Sequence, residues 1–305
     1  MITFIEAINM TNLVILGNGF DIWHRLPTAY WHFYDQYNSI LEEHIHYFND
    51  LCDTDAEWAN FEESLGSFDQ DNFHDNSALQ PSLEEMADDP KLLYGFEDEI
   101  SIKTDELVNE ITSSFKSWVG SIKVNTATKL IELPKSFRFI NFNYTTTLQD
   151  VYGVPNENIL HIHGKVKENI IFGHGRCNNV VSKNISERDE PWFEESQKNA
   201  SSVYQLLHKP VDEILERNRP QLESYGDITD IIVIGHSIND IDIPYFQCIL
   251  DTYPNAKWTN YNYENLDEGI DAVNETHDKL IRAGIPKAKL TSHSSEVLKT
   301  LYPFP

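Results

Sequence analysis

Four segments spread along the chain repeat one pattern, an apolar run that ends in a tight polar turn. They are Leu13-Val14-Ile15-Leu16-Gly17-Asn18-Gly19-Phe20-Asp21, Phe139-Ile140-Asn141-Phe142-Asn143-Tyr144-Thr145, Ile159-Leu160-His161-Ile162-His163-Gly164 and Ile231-Ile232-Val233-Ile234-Gly235-His236-Ser237. A short, continuously apolar run bounded by turn residues suits a strand buried on both faces, as in a parallel sheet. Ligands of open parallel sheets bind outside the carboxyl ends of the strands. Polar residues placed just after several such strands therefore converge on one crevice, and the series predicts a nucleotide-type site.

The 305 residues suffice for a full α/β core, and 40% hydrophobic with 12% aromatic residues argues for an ordered globular chain. Lys+Arg of 23 against Asp+Glu of 49 gives a net charge of −26, which repels a phosphate backbone and argues against nucleic acid as partner. The acidic stretches Glu42 to Glu63 and Glu84 to Glu106 read as solvated helix faces. Cys52, Cys177 and Cys248 are scattered without paired spacing, so neither a structural zinc site nor a disulfide framework is expected, and a reducing cytoplasm is the expected home. No apolar run approaches the ~18 residues of a membrane span, so no membrane partner is expected. Residues 1–10 lack a basic segment and contain Glu6, which reads as an upstream start or a disordered end and not as a secretory signal.

From Phe137 onward strands and helices alternate. Strands are expected at Phe137 to Asn141, Ile159 to Ile162, Ile170 to Phe172, Asp230 to Ile234, Lys257 to Tyr261 and Ala288 to Leu290. Such alternation predicts βαβ units and a mostly parallel sheet. Residues 40–125 read as helical throughout, around Trp58 to Gly66 and with a break near Gln80 to Pro90, and so as an insertion within a single domain over residues 11–305. Aromatic residues at helical spacing in Ala29 to Tyr37 read as core. A helical excursion is expected over Asn184 to Tyr225.

The turns carry the chemistry. Gly17-Asn18-Gly19 is expected to supply a left-handed turn and a close backbone approach for a phosphate or ribose. Asn141 and Asn143 flank Phe142, with helix-capping threonines after them, and an amide suits a ribose or a positioned water. His161 and His163 alternate as on a strand, and a histidine before Gly164 suits a general base near neutral pH. Gly235-His236-Ser237 is expected to cradle phosphate through backbone N–H groups and the Ser237 hydroxyl. The histidines His161, His163, His174 and His236 with Asp21, Asp240 and Asp242 admit a metal-site reading for phosphodiester hydrolysis, but their spacing does not support it, and no metal is expected.

Together these residues, with Leu26-Pro27-Thr28-Ala29-Tyr30, Trp58 to Gly66, Tyr144-Thr145 leading to Leu148, and Ile171-Phe172-Gly173-His174-Gly175, resemble the AbiH family of bacteriophage abortive-infection proteins. That family is similar to the sirtuin-like, Rossmann-like NAD-binding fold. The resemblance implies an α/β protein with a Rossmann-like, sirtuin-like parallel sheet and a large helical insertion after the first strand. It implies that Asn143 positions a water and His163 acts on the nicotinamide ribose. Gly17, Asn18, Gly19, Asp21, Thr28, Thr145, Gly235, His236, Ser237 and Asn262 would hold the NAD. The sirtuin four-cysteine zinc ribbon has no counterpart here, which points to hydrolysis and away from protein deacylation. Phe142 and Thr145 also depart from the sirtuin pattern and widen the ligand to related nucleotides.

The function expected is a phage-defence effector that binds NAD and hydrolyses it to nicotinamide and ADP-ribose. Its helical block would gate the crevice or mediate homo-oligomerisation until an unknown phage trigger acts. The alternatives are a nucleotide-binding sensor without turnover and a metal-dependent nuclease.

Overall fold

The computed structural model describes residues 11–51, 60–75, 89, 91–176, 191–265 and 270–304. Residues 1–10, Trp58, most of the expected break near Gln80 to Pro90, Cys52, Cys177 and Asn184 lie outside them. Six strands form an all-parallel sheet: β1 Thr11–Leu16, β2 Arg138–Asn141, β3 Ile159–His161, β4 Ile228–Ile234, β5 Lys257–Asn262 and β6 Leu290–Ser294. Their spatial order is β3-β2-β1-β4-β5-β6, the Rossmann-like order. The chain runs outward from β1 to β3, then returns to the far side of β1 at β4. That reversal is the topological switch point, where ligands of such sheets bind.

Strand composition follows from this burial. Leu13, Val14, Ile15 and Leu16 of β1 are all fully buried, because a central parallel strand has covered faces on both sides. Alternate residues enter opposite cores. Leu13, Ile15, Ile140, Ile231, Val233 and Trp258 pack on one face with Tyr245 and Phe246. Val14, Leu16, Phe139, Ile232, Ile234 and Tyr261 pack on the other with Leu148 and Leu298. Register aligns the strand ends: Leu16 pairs with Asn141 and with Ile234, and Asn141 with His161.

One expected strand is absent. Ile170 to Phe172 is loop, because Gly164 (φ +79°) and Lys167 (φ +70°) turn the chain back over the end of β3, where Ile171 N–H donates to His163 O at 2.9 Å. The last expected strand starts later, at Leu290, after a short 3₁₀ turn Lys287–Lys289. Among the described residues no helix is long and apolar enough to cross a membrane.

The chain divides into two compact units: Met1–Ala29, Val119–Ile171 and Pro210–Pro305, which carry the sheet, and Tyr30–Trp118 with Phe172–Lys209. The second unit thus joins the expected insertion to part of the expected later excursion. Its core is aromatic. Phe33, fully buried on the helix Tyr30–Leu41, packs against Phe61, Phe115 and Trp118, while Trp31 on the opposite face is exposed.

Within that unit Lys209, 2% exposed, pairs with Glu62, whose carboxylate also accepts from Tyr30 Oη at 2.5 Å. A buried ion pair is costly to break from one side, because the orphaned charge remains in a low-dielectric setting. Glu62→Ala and Lys209→Ala are each expected to cost about 3–5 kcal/mol. The double variant should cost less than their sum when the three are compared by chemical denaturation.

Candidate functional site

The ends of β1 and β2 are stitched together. Phe142 N–H donates to Leu16 O at 2.9 Å, and the Asn143 side-chain amide donates to Gly17 O at 3.0 Å. Asn143 N–H in turn donates to Asn141 Oδ1 at 3.1 Å. One Asn143 amide N–H is thereby spent, while its Oδ1 makes no hydrogen bond among the described residues.

The next contact is a latch. Thr145 Oγ1 donates to one carboxylate oxygen of Asp21 at 2.5 Å and Thr147 Oγ1 to the other at 2.7 Å. The expected capping by threonine side chains is not made: Thr146 stands at the helix start without a cap bond, and its hydroxyl goes to Asp150. The flanking threonines serve the carboxylate, which is the stronger acceptor. Asp21 is fully buried, and burial raises its pKa from 3.8 to about 6 against the opposing pull of the two hydroxyls.

The glycine turn has a different cause from the one expected. Gly17 has φ −107°, and neither Gly17 nor Gly19 is left-handed. Both are glycine because the β4 turn lies against them: a Cβ on Gly17 would sit 2.5 Å from His236 Cα, and one on Gly19 2.8 Å from Gly235 O. The left-handed residue is Gly235, at φ +63°. Gly17 N–H donates to Ile234 O at 3.1 Å, Gly19 N–H to Gly235 O at 2.7 Å and Phe20 N–H to Gly17 O at 3.0 Å, so these donors are engaged within the protein. Asn18 Nδ2 donates to Thr28 O at 2.7 Å, while the buried Thr28 Oγ1 has no partner among the described residues.

His163 follows β3 and His236 follows β4, and both pack against one ring. Phe142 lies edge-to-face with both, at 5.3 Å from His163 and 4.5 Å from His236, and Tyr245 packs 5.3 Å from His163. Edge-to-face contact sets the positive rim of one ring against the negative face of another and restricts ring orientation. Both imidazoles are nearly buried, at 3% and 4% exposure. Ile238 N–H donates to His236 Nδ1 at 3.0 Å, which places the proton of the neutral ring on Nε2.

His161 differs from His163. The strand ends at His161, Gly164 N–H turns back to His161 O, and strict alternation stops there. His161 Nδ1 donates to Asn143 O at 3.3 Å and its Nε2 accepts from Gln149 at 2.8 Å. Burial lowers its pKa to about 4 and keeps it neutral. His161 therefore supports the backbone that carries Asn143.

Asn262, at the end of β5, turns inward: its amide donates to His236 O at 3.0 Å and to Thr276 Oγ1 at 2.7 Å, and its oxygen accepts from Tyr263 N–H. Ser237 is exposed. The sequence reading missed Thr147 as a partner of Asp21, Tyr245, Thr276, and Lys279, whose Nζ donates to Ser237 O at 3.0 Å. Of these, only Thr147 carried a usable signal, its place in a threonine run. Among the described residues no three His, Cys, Asp or Glu side chains gather as a metal site.

The strand order and the polar residues at its switch point define a Rossmann-like α/β protein. The chain belongs to the bacteriophage abortive infection AbiH family, whose model matches residues 13–263. No curated protein and no solved structure matches it.

Asp21 gives a pH signature. Its folded pKa exceeds the ordinary carboxylate value, so the folded state holds a proton that the unfolded chain releases. The stability this contributes is complete below pH 3.8 and is lost as pH rises through about 6, a loss of about 3 kcal/mol. Denaturation between pH 4 and pH 7 should show this decline in the wild type. Asp21→Asn, which keeps both threonine partners without the charge, should flatten it.

Proposed function

We propose that the sheet's carboxyl edge binds NAD and hydrolyses its glycosidic bond, as the effector step of an abortive-infection response. The observation that supports this reading is the Asn143 amide, bonded to Gly17 O at the switch point, with His163 packed on Phe142, the residue before it in the chain. Family membership supports the phage-defence setting.

In this reading the bond between ribose C1′ and the nicotinamide nitrogen breaks, and its electron pair leaves with nicotinamide. The transition state resembles an oxocarbenium ion. His163 takes a proton from a ribose hydroxyl, and the Asn143 oxygen orients the water that adds to C1′. Water supplies the new C1′ oxygen, and one proton is released for each NAD consumed. Edge packing on Phe142 and Tyr245 would hold the imidazole in place, and the Asn143–Gly17 bond would fix the amide. Asp21 and Thr145 hold each other, which gives them a supporting part in binding.

Purified protein incubated with NAD, with and without phage infection lysate, should release free nicotinamide. Removing a general base typically costs about 10²–10⁴ in rate. His163→Ala and Asn143→Ala should fall in that range in protein that circular dichroism shows to be folded, and His161→Ala should lose less activity. NAD binding without nicotinamide release would favour a non-catalytic sensor. Activity abolished by a chelator would favour a nuclease.

A further inference from the structure

The phosphates of a nucleotide bring negative charge to a chain whose net charge is already −26. Backbone N–H groups of the two switch-point turns would be the ordinary donors. Here Gly17, Gly19, Phe20, Gly235 and Ile238 N–H all donate to acceptors within the protein. With these donors committed, a side-chain cation would supply balancing positive charge for the phosphates.

Lys279 stands in that position. It lies on the helix Ala272–Arg282 and is half-buried. Its Nζ is held 3.0 Å from Ser237 O, and Thr276, three residues earlier on the same helix face, bonds His236 O at 3.3 Å. Two successive carbonyls of the β4 turn are thus fixed by one helix, which pins the ammonium beside the exposed Ser237. An ammonium carries three donors, and one goes to Ser237 O.

We infer that Lys279 and the Ser237 hydroxyl form an anion-binding corner that takes the phosphate groups of a nucleotide. This rests on the nucleotide reading of the same site. The corner assigns phosphate recognition to side chains from β4 and the helix after β5, in place of the glycine turn after β1.

The test compares ADP with adenosine by titration calorimetry on the full chain. Wild type should bind ADP more tightly than adenosine. Lys279→Gln should weaken ADP about tenfold and leave adenosine unchanged, Lys279→Arg should keep most of the ADP affinity, and Ser237→Ala should lose part of it. Equal ADP affinity in wild type and Lys279→Gln, or a wild type that does not distinguish ADP from adenosine, would overturn the corner. Nicotinamide release from NAD separates the two readings. Lys279-dependent ADP binding without release leaves the corner standing and removes hydrolysis, whereas release with an unchanged KM in Lys279→Gln removes the corner and leaves hydrolysis.

Discussion

Everything at the carboxyl edge of the sheet hangs from the contact between the turns after β1 and β4. The Gly19 N–H to Gly235 O bond of 2.7 Å brings two backbones together so closely that no side chain fits at Gly17 or Gly19. Gly235 meets the same demand from the other side with a left-handed backbone. Once that contact is made, Gly17 O is fixed as acceptor for Asn143, and Phe20 and Asp21 follow at the start of the helix Asn18–Trp23. The contact therefore sets the positions of groups on three strands.

The edge is supported by a layer of polar side chains that serve one another. Asp21 binds Thr145 and Thr147, His161 binds the Asn143 backbone, and Asn262 binds His236 and Thr276. Such satisfaction is what burial demands, since an unpaired polar group away from water is costly. Asp21 is the exception that reveals a preference: its hydroxyl partners do not cancel the desolvation that raises its pKa. A neutral amide would be less costly there, so the carboxylate is a feature that stability alone does not account for.

The strands were legible because β1 and β4 are unbroken apolar runs, and burial on two faces leaves little choice of residue. The chemistry of the edge was legible as residue types but not as directions. Asp21, Asn262 and His161 have the composition of ligand contacts, yet each points its polar atoms at a neighbouring turn. Whether a glycine is needed for its φ or for the space beside it depends on what packs there. At Gly17 that neighbour is His236, more than two hundred residues further along the chain. Lys279 left no local signal, since a lysine in a polar helix gains meaning only when the loop beside it is known. In the helix Tyr30–Leu41, helical spacing admits a stripe of Trp31, Tyr34 and Tyr37 or one of Tyr30, Phe33 and Tyr37, and the tertiary contacts select the one containing Phe33.

The division of labour at the switch point follows from the same geometry. A Rossmann-like site ordinarily keeps the turn after β1 open to the ligand, with its backbone donors presented. Here that turn is closed onto β4, and its Gly17 and Gly19 N–H groups are consumed in holding the sheet edge together. In the nucleotide reading proposed above, recognition falls to side chains beside the closed turn, Asn143 and His163 together with Ser237 and Lys279. Gly17 and Gly19 are thus kept for packing, since the β4 turn leaves no room for a side chain at either position.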